Sequence, residues 1–180
     1  MAKLYIGDSQ GTPAIIKIEE VPKKKFGASI DTWIGDVDEN GVLQQTIWTG
    51  ALNFSGIKEI ARNSLKYAFY GNTGITSVDL SSLTTVNDNS LYCTFYDCKG
   101  LTRVDLSSLT SVAWSGLHST FRGCKGLTSV DLSSLTSAGF YGLQAAFQNC
   151  TGLTSVDISS LTTVSNNGLY NAFYDCTGSR

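Results

Sequence analysis

A unit of 26 residues, written five times in tandem from Thr49 to Gly178, constrains this chain more than any other feature. Four copies start at Ile75, Leu101, Leu127 and Leu153 and read close to LTSVDLSSLTxVxxxxLxxxFxxCxG. The copy from Thr49 diverges but keeps register through Leu52, Phe54, Ile57, Ile60, Leu65, Phe69 and Gly74. A fixed period of roughly 20–50 residues signals a solenoid, because one unit cannot bury its own apolar face and must stack on its neighbours. The expected organisation is a non-repeating segment, 1–48, followed by units 49–74, 75–100, 101–126, 127–152 and 153–178.

Numbering each unit from its first residue, apolar side chains fall at slots 1, 4, 6, 9, 12, 17, 21 and 24. Slots 4 and 6 point inward and slots 3 and 5 outward on a short strand, since side chains alternate across a strand. The Ser-Ser pair that follows (Ser133 and Ser134 in one copy) turns a corner. Slots 17, 21 and 24 recur at i, i+4 and i+7, which predicts a helix of about two turns. Slot 16 (Ser64, Ser90, Gly116, Gly142, Gly168) suits an N-cap, and slot 20, only Ala or Thr, a tight helix–helix contact. The Gly at slot 26 suits a left-handed C-terminal cap. The expected fold is therefore α/β: a solenoid of five strand-plus-short-helix coils with a parallel sheet.

The string CxxLxxVxL followed by xxLxxV and FxxC resembles a bacterial leucine-rich repeat, and is most similar to the BspA-like class. The resemblance covers residues 49–178. It implies a leucine-rich-repeat solenoid that binds protein or mediates adhesion, on a bacterial surface or in association with phage.

Before the repeats, Lys3–Ile6 and Ala14–Ile18 read as two strands around a Gly/Pro loop, and Phe26–Ile34 as a third with Trp33 inward. A solenoid needs its first coil covered, so this segment is expected to be a small β-rich cap. The last copy runs into Ser179 and Arg180 with no capping sequence, which leaves homo-oligomerisation through an uncapped C-terminal coil as an expectation.

A net charge of −2, with 16% charged residues, argues against nucleic acid as a partner, which would select a basic face. No run of 18 apolar residues predicts membrane insertion, and no leader is visible at the N-terminus. Location is therefore open between a bacterial surface, a virion and the cytoplasm. Cys98, Cys124, Cys150 and Cys176 recur 26 residues apart, which is repeat periodicity and not metal-ligand spacing. They are expected to form a buried thiol ladder, with Cys93 exposed off it.

Three groups are candidate sites. The exposed slots of the expected helix collect Tyr70, Tyr92, Tyr96, Trp114, His118, Arg122, Phe140, Tyr141, Tyr170 and Tyr174. Large stiff amphipathic rings lose little entropy on docking, so this stripe is a candidate partner-binding surface for protein or glycan. Asp79, Asp105, Asp131 and Asp157 form a row that either accepts bonds from the following serine backbone or holds a cation or basic partner. Asp36, Asp38 and Asn40 match half a calcium loop, but Ile47 stands where its closing Glu would be, and Asn40-Gly41 is also a strong hairpin signal. The only histidine, His118, has no fixed Asp or Cys partner, and no phosphate loop or HExxH occurs. No cofactor or catalytic constellation is expected, so the reading is a non-enzymatic recognition or adhesion module. An intracellular inhibitor or scaffold and a self-assembling element are the alternatives.

Overall fold

The computed structural model describes residues 50–178 in full and, before them, the backbone of four strands at 3–7, 13–18, 36–37 and 43–44. Those four are β1 (Lys3–Gly7), β2 (Pro13–Ile18), β3 (Asp36–Val37) and β4 (Leu43–Gln44). Each repeat then contributes a strand at its opening and a two-residue strand after its corner. The opening strands are β5 (Gly50–Asn53), β7 (Ile75–Asp79), β9 (Arg103–Asp105), β11 (Ser129–Asp131) and β13 (Ser155–Asp157). The others are β6 (Glu59–Ile60), β8 (Thr85–Val86), β10 (Ser111–Val112), β12 (Ser137–Ala138) and β14 (Thr163–Val164).

Pairing between repeats is parallel and in register at the repeat length. Val78 lies opposite Val104, Val130 opposite Val156, and Val86 opposite Val112. The short strands form one sheet in the order β14-β12-β10-β8-β6. The opening strands form a sheet β1-β2-β5-β7-β9 and a separate pair β11-β13. Parallel strands one repeat apart make this a parallel β-solenoid. β1 and β2 form an antiparallel hairpin, and β2 adds antiparallel to β5, with Ile18 opposite Leu52. The expected third strand at Phe26–Ile34, with Trp33, lies outside the described residues.

The expected helices are absent: no helix occurs among the described residues. In every unit the backbone is left-handed at slots 15, 19 and 23, with φ between 51° and 74°, as at Asn89, Cys93 and Asp97 in the second. Each left-handed residue closes a four-residue turn. Amides of the even slots donate to the carbonyl three residues back, as Tyr92 N to Asn89 O and Thr94 N to Leu91 O. Amides of the odd slots donate to the next unit: Leu91 N to Gly116 O, Cys93 N to His118 O, Phe95 N to Thr120 O. A helix would turn every amide back on its own segment. This arrangement satisfies half of them locally and spends the other half on joining coils. Turns repeating every four residues bring slots 17 and 21 to one face, which is why they imitate a helical period.

That face is the core. Phe69, Phe95, Phe121, Phe147 and Phe173 stack in a column with centroids 5.3–5.7 Å apart and planes within 9° of parallel. Leu91, Leu117 and Leu143 and the strand leucines close around it with no exposed surface. Side chains then tie coil to coil. Thr94 and Thr120 at slot 20 donate to the carbonyls of Leu65 and Leu91, at 2.7 and 2.6 Å, so where slot 20 holds Thr it makes a hydrogen bond between coils and not a helix contact. Cys98, Cys124, Cys150 and Cys176 donate their thiols to Phe69 O, Phe95 O, Phe121 O and Phe147 O at 3.0–3.1 Å.

Two further expectations change with the helix. Ser64 and Ser90 at slot 16 donate to the carbonyls of Ala61 and Asn87 at 2.7 and 3.0 Å, so they are not N-caps, which would accept from amides. The slot-26 glycines have no left-handed φ. They are required by packing: a Cβ on Gly126 would stand 3.0 Å from the carbonyl oxygens of Leu101 and Lys99. In the final unit the hydrophobic side chains of Val156, Ile158, Leu161, Leu169 and Phe173 are partly exposed.

Candidate functional site

The turns that replace the helix still carry the aromatic stripe to the surface. Trp114 and Phe140, at slot 14, keep 46% and 41% of their surface exposed. Tyr70, Tyr170 and Tyr174 are also exposed, whereas Tyr92, Tyr96, His118, Arg122 and Tyr141 are half-buried. Because slots 14, 18 and 22 recur every four residues on successive turns, each slot forms its own column across the coils.

The first three units bring many of these side chains together. Tyr70 stacks on Tyr96 with centroids 4.7 Å apart and planes 9° from parallel. Tyr92 lies 4.6 Å from the His118 ring and 5.5 Å from Tyr67, edge to face. Arg122 stands 5.5 Å from the centroid of Tyr96, and Lys66 4.8 Å from that of Tyr92. Phe140 and Tyr141 form a separate pair, 4.1 Å apart. Tyr170 and Tyr174 meet no other ring among the described residues.

Tyr67 belongs to this cluster and is missing from the helical stripe. It occupies a left-handed slot, which a helix would have turned to another side. The signal for those slots is present in the sequence: Asn, Asp or Gly fills nine of the fifteen positions at slots 15, 19 and 23, among them Asn63, Asn89, Asn149 and Gly123. These are the residue types that adopt left-handed backbone at least cost.

Burial sets the protonation of the cluster. Desolvation raises the Tyr67 and Tyr70 hydroxyl pKa values, so both rings present neutral hydroxyls at physiological pH. Desolvation, with Arg122 adding repulsion, lowers the His118 pKa and favours its neutral form. Cys93 is buried and not exposed as its slot suggested, and burial pushes its thiol up to about 11.

The family model of the BspA-type leucine-rich repeat region matches residues 55–179 in six copies. The chain belongs to this family. No curated protein and no solved structure matches it. A BspA-type repeat region is a recognition fold that generally mediates protein–protein interaction, and the repeats of this chain are of that kind. The six family copies do not map one to one onto the 26-residue units of the sequence.

The aspartate row of this BspA-type solenoid lies at its corners. Asp79, Asp131 and Asp157 accept the amides of Ser81, Ser133 and Ser159 at 2.9–3.0 Å. Asp105 accepts both the amide and the hydroxyl of Ser107, at 3.2 and 2.7 Å. Asn53 makes the same bond to Ser55 N at 2.7 Å. A carbonyl oxygen therefore suffices for the turn, and charge is not what the corner requires. Bonds from Ser81 lower the Asp79 pKa, and bonds from Ser133 lower that of Asp131. Arg103 stands 3.8 Å from Asp105.

No group of three or more His, Cys, Asp or Glu side chains suited to a metal occurs among the described residues. In the half calcium loop, Asp36 pairs with Gln44 across the β3–β4 hairpin. Asp38 and Asn40 lie outside the described residues. No helix among the described residues is long and apolar enough to cross a membrane.

Proposed function

We propose that this BspA-type solenoid is a non-enzymatic recognition module whose contact surface is the turn face, and that it serves adhesion or recognition on a bacterial surface or a phage particle. The observation that carries the reading is the composition of that face. Nothing in the turn geometry requires rings at slots 14, 18 and 22: the amides of Tyr92 and Tyr96 donate within their own turns, and the carbonyls of Trp114 and Phe140 accept from the neighbouring unit, bonds that any side chain would permit. Yet Tyr70, Trp114, Phe140, Tyr170 and Tyr174 hold those slots and remain open to solvent. Exposed rings set among cations and amides are the composition of a contact surface. The ligand is a protein or a glycan.

The experiment is binding of the purified chain to a defined panel of extracellular-matrix proteins and to a glycan array, with Trp114→Ala/Phe140→Ala as the comparison. Both side chains lie outside the buried core, so the double variant is expected to keep its melting temperature. A specific partner whose affinity falls at least about ten-fold in the variant supports the reading, since central aromatic contacts carry energies of this size. A partner that binds the variant unchanged removes the turn face as the site.

A further inference from the structure

The turn face holds two cations without a carboxylate partner. Arg62 pairs with Asp88 at 4.0 Å and Arg103 with Asp105 at 3.8 Å, but Lys66 and Arg122 form no ion pair among the described residues. Each instead lies over a tyrosine ring, Lys66 over Tyr92 and Arg122 over Tyr96. Asp97, beside Tyr96 in the chain, is a carboxylate whose charge acts on Tyr70. With His118 favouring its neutral form, the cluster carries an excess of one positive charge.

The cations flank a trough. Slot 19 is small and nearly closed to solvent in the three middle units, with Cys93, Ser119 and Ala145 exposed by 7%, 4% and 6%. Half-buried larger side chains stand on either side of it: Tyr92 and His118 at slot 18, Tyr96 and Arg122 at slot 22. Cys93 belongs to the same unit as Tyr92 and Tyr96, the two rings over which Lys66 and Arg122 lie. Tyr67, the large residue of this slot, is 45% exposed and closes one end. The trough therefore runs across the coils, along the solenoid.

We infer that this trough takes an extended acidic segment of a protein partner, with carboxylates spaced to meet Lys66 and Arg122. The inference rests on the turn face being the contact surface. Two cations and neutral tyrosine hydroxyls, against the Asp97 carboxylate, favour an acidic ligand over a basic one. Lys66 and Arg122 belong to units two apart, but each reaches inward over a ring of the second unit, Tyr92 and Tyr96, so both charges stand beside that unit, one on each side of slot 19. An extended peptide presents successive side chains to opposite sides, so two adjacent acidic residues meet one cation on each wall. The residues that flank this acidic pair lie toward Tyr67 and His118, so an apolar or aromatic side chain there adds ring contact.

The test uses two fluorescently labelled decapeptides. One carries adjacent Glu and Asp flanked by Tyr, and the other has Gln and Asn in their place. Anisotropy titrations on the full chain are expected to show at least about ten-fold tighter binding of the acidic peptide, lost in Lys66→Gln/Arg122→Gln. Raising salt from about 0.05 to 0.5 M is expected to weaken it, because these cations are solvent-accessible. Equal affinity for the two peptides, no measurable binding, or an unaffected double variant overturns the inference. A heparin oligosaccharide that binds more tightly than the acidic peptide, and is lost in the same variant, also overturns it by making the occupant a glycan. If the acidic peptide fails while Trp114→Ala/Phe140→Ala still abolishes binding of a panel partner, this inference falls and the turn-face reading stands.

Discussion

Asn149 tests the left-handed turn against the helix by the sign of one comparison. It occupies slot 23 of the fourth unit with φ 61°, inside the stretch where the apolar period predicts helix. Two variants, Asn149→Gly and Asn149→Ala, both remove the amide side chain, so their difference isolates backbone preference. In a helix interior Ala is better than Gly by about 0.8–1 kcal/mol. In left-handed backbone an L-residue costs roughly 1–2 kcal/mol that Gly avoids. Glycine loses roughly 0.4–1 kcal/mol more through its unfolded-state freedom. The difference favours Gly by about 0.8 kcal/mol, a swing of nearly 2 kcal/mol from the helical expectation. For a chain of this size 1 kcal/mol moves the melting temperature by about 2–4 °C. Thermal and urea denaturation followed by circular dichroism should therefore find Asn149→Gly about 2–3 °C above Asn149→Ala. If the Ala variant equals or exceeds the Gly variant, the left-handed turn at this slot is wrong.

Three more outcomes follow from the packing and the corners. Phe121→Ala removes the middle ring of the column, stacked at 5.6 and 5.5 Å between Phe95 and Phe147, and should cost about 3–5 kcal/mol in equilibrium denaturation. The thiols of Cys98 and Cys150, which burial raises to about 12, and that of Cys124, which it raises well above normal, should resist a disulfide reagent at pH 8 in native protein. Cys176, only partly buried, should react first; fast labelling of the three inner thiols would contradict the buried ladder, and fast labelling of Cys93 its burial at slot 19. The Asp79 pKa is depressed in the fold, so its stabilisation is present above the unfolded pKa near 3.9 and is lost as pH falls through the lower folded value. Asp79→Asn keeps an acceptor for Ser81, as Asn53 does for Ser55, and should lessen the loss of stability on acidification below about pH 4. An unchanged acid profile would show that the corner bond does not depend on ionisation.

The sequence by itself determined the period, the stacking, the core slots and the corners. These follow from what repeats: a residue equivalent in every unit must sit in an equivalent environment, so Phe121, Leu132 and Cys124 were legible as buried and Asp131 as an outward corner residue. The conformation between slots 15 and 24 was decided only in three dimensions. Apolar spacing of four residues fits one helix face and a train of four-residue turns equally well within a single unit. The choice is made by the odd-slot amides, which find acceptors in the neighbouring coil, and that partner is 26 residues away in sequence. The same step moved Cys93 from the surface to the floor of a trough and brought Tyr67 beside Tyr92. Columns on successive coils meet through stacking, whereas a sequence window sees only neighbours along the chain.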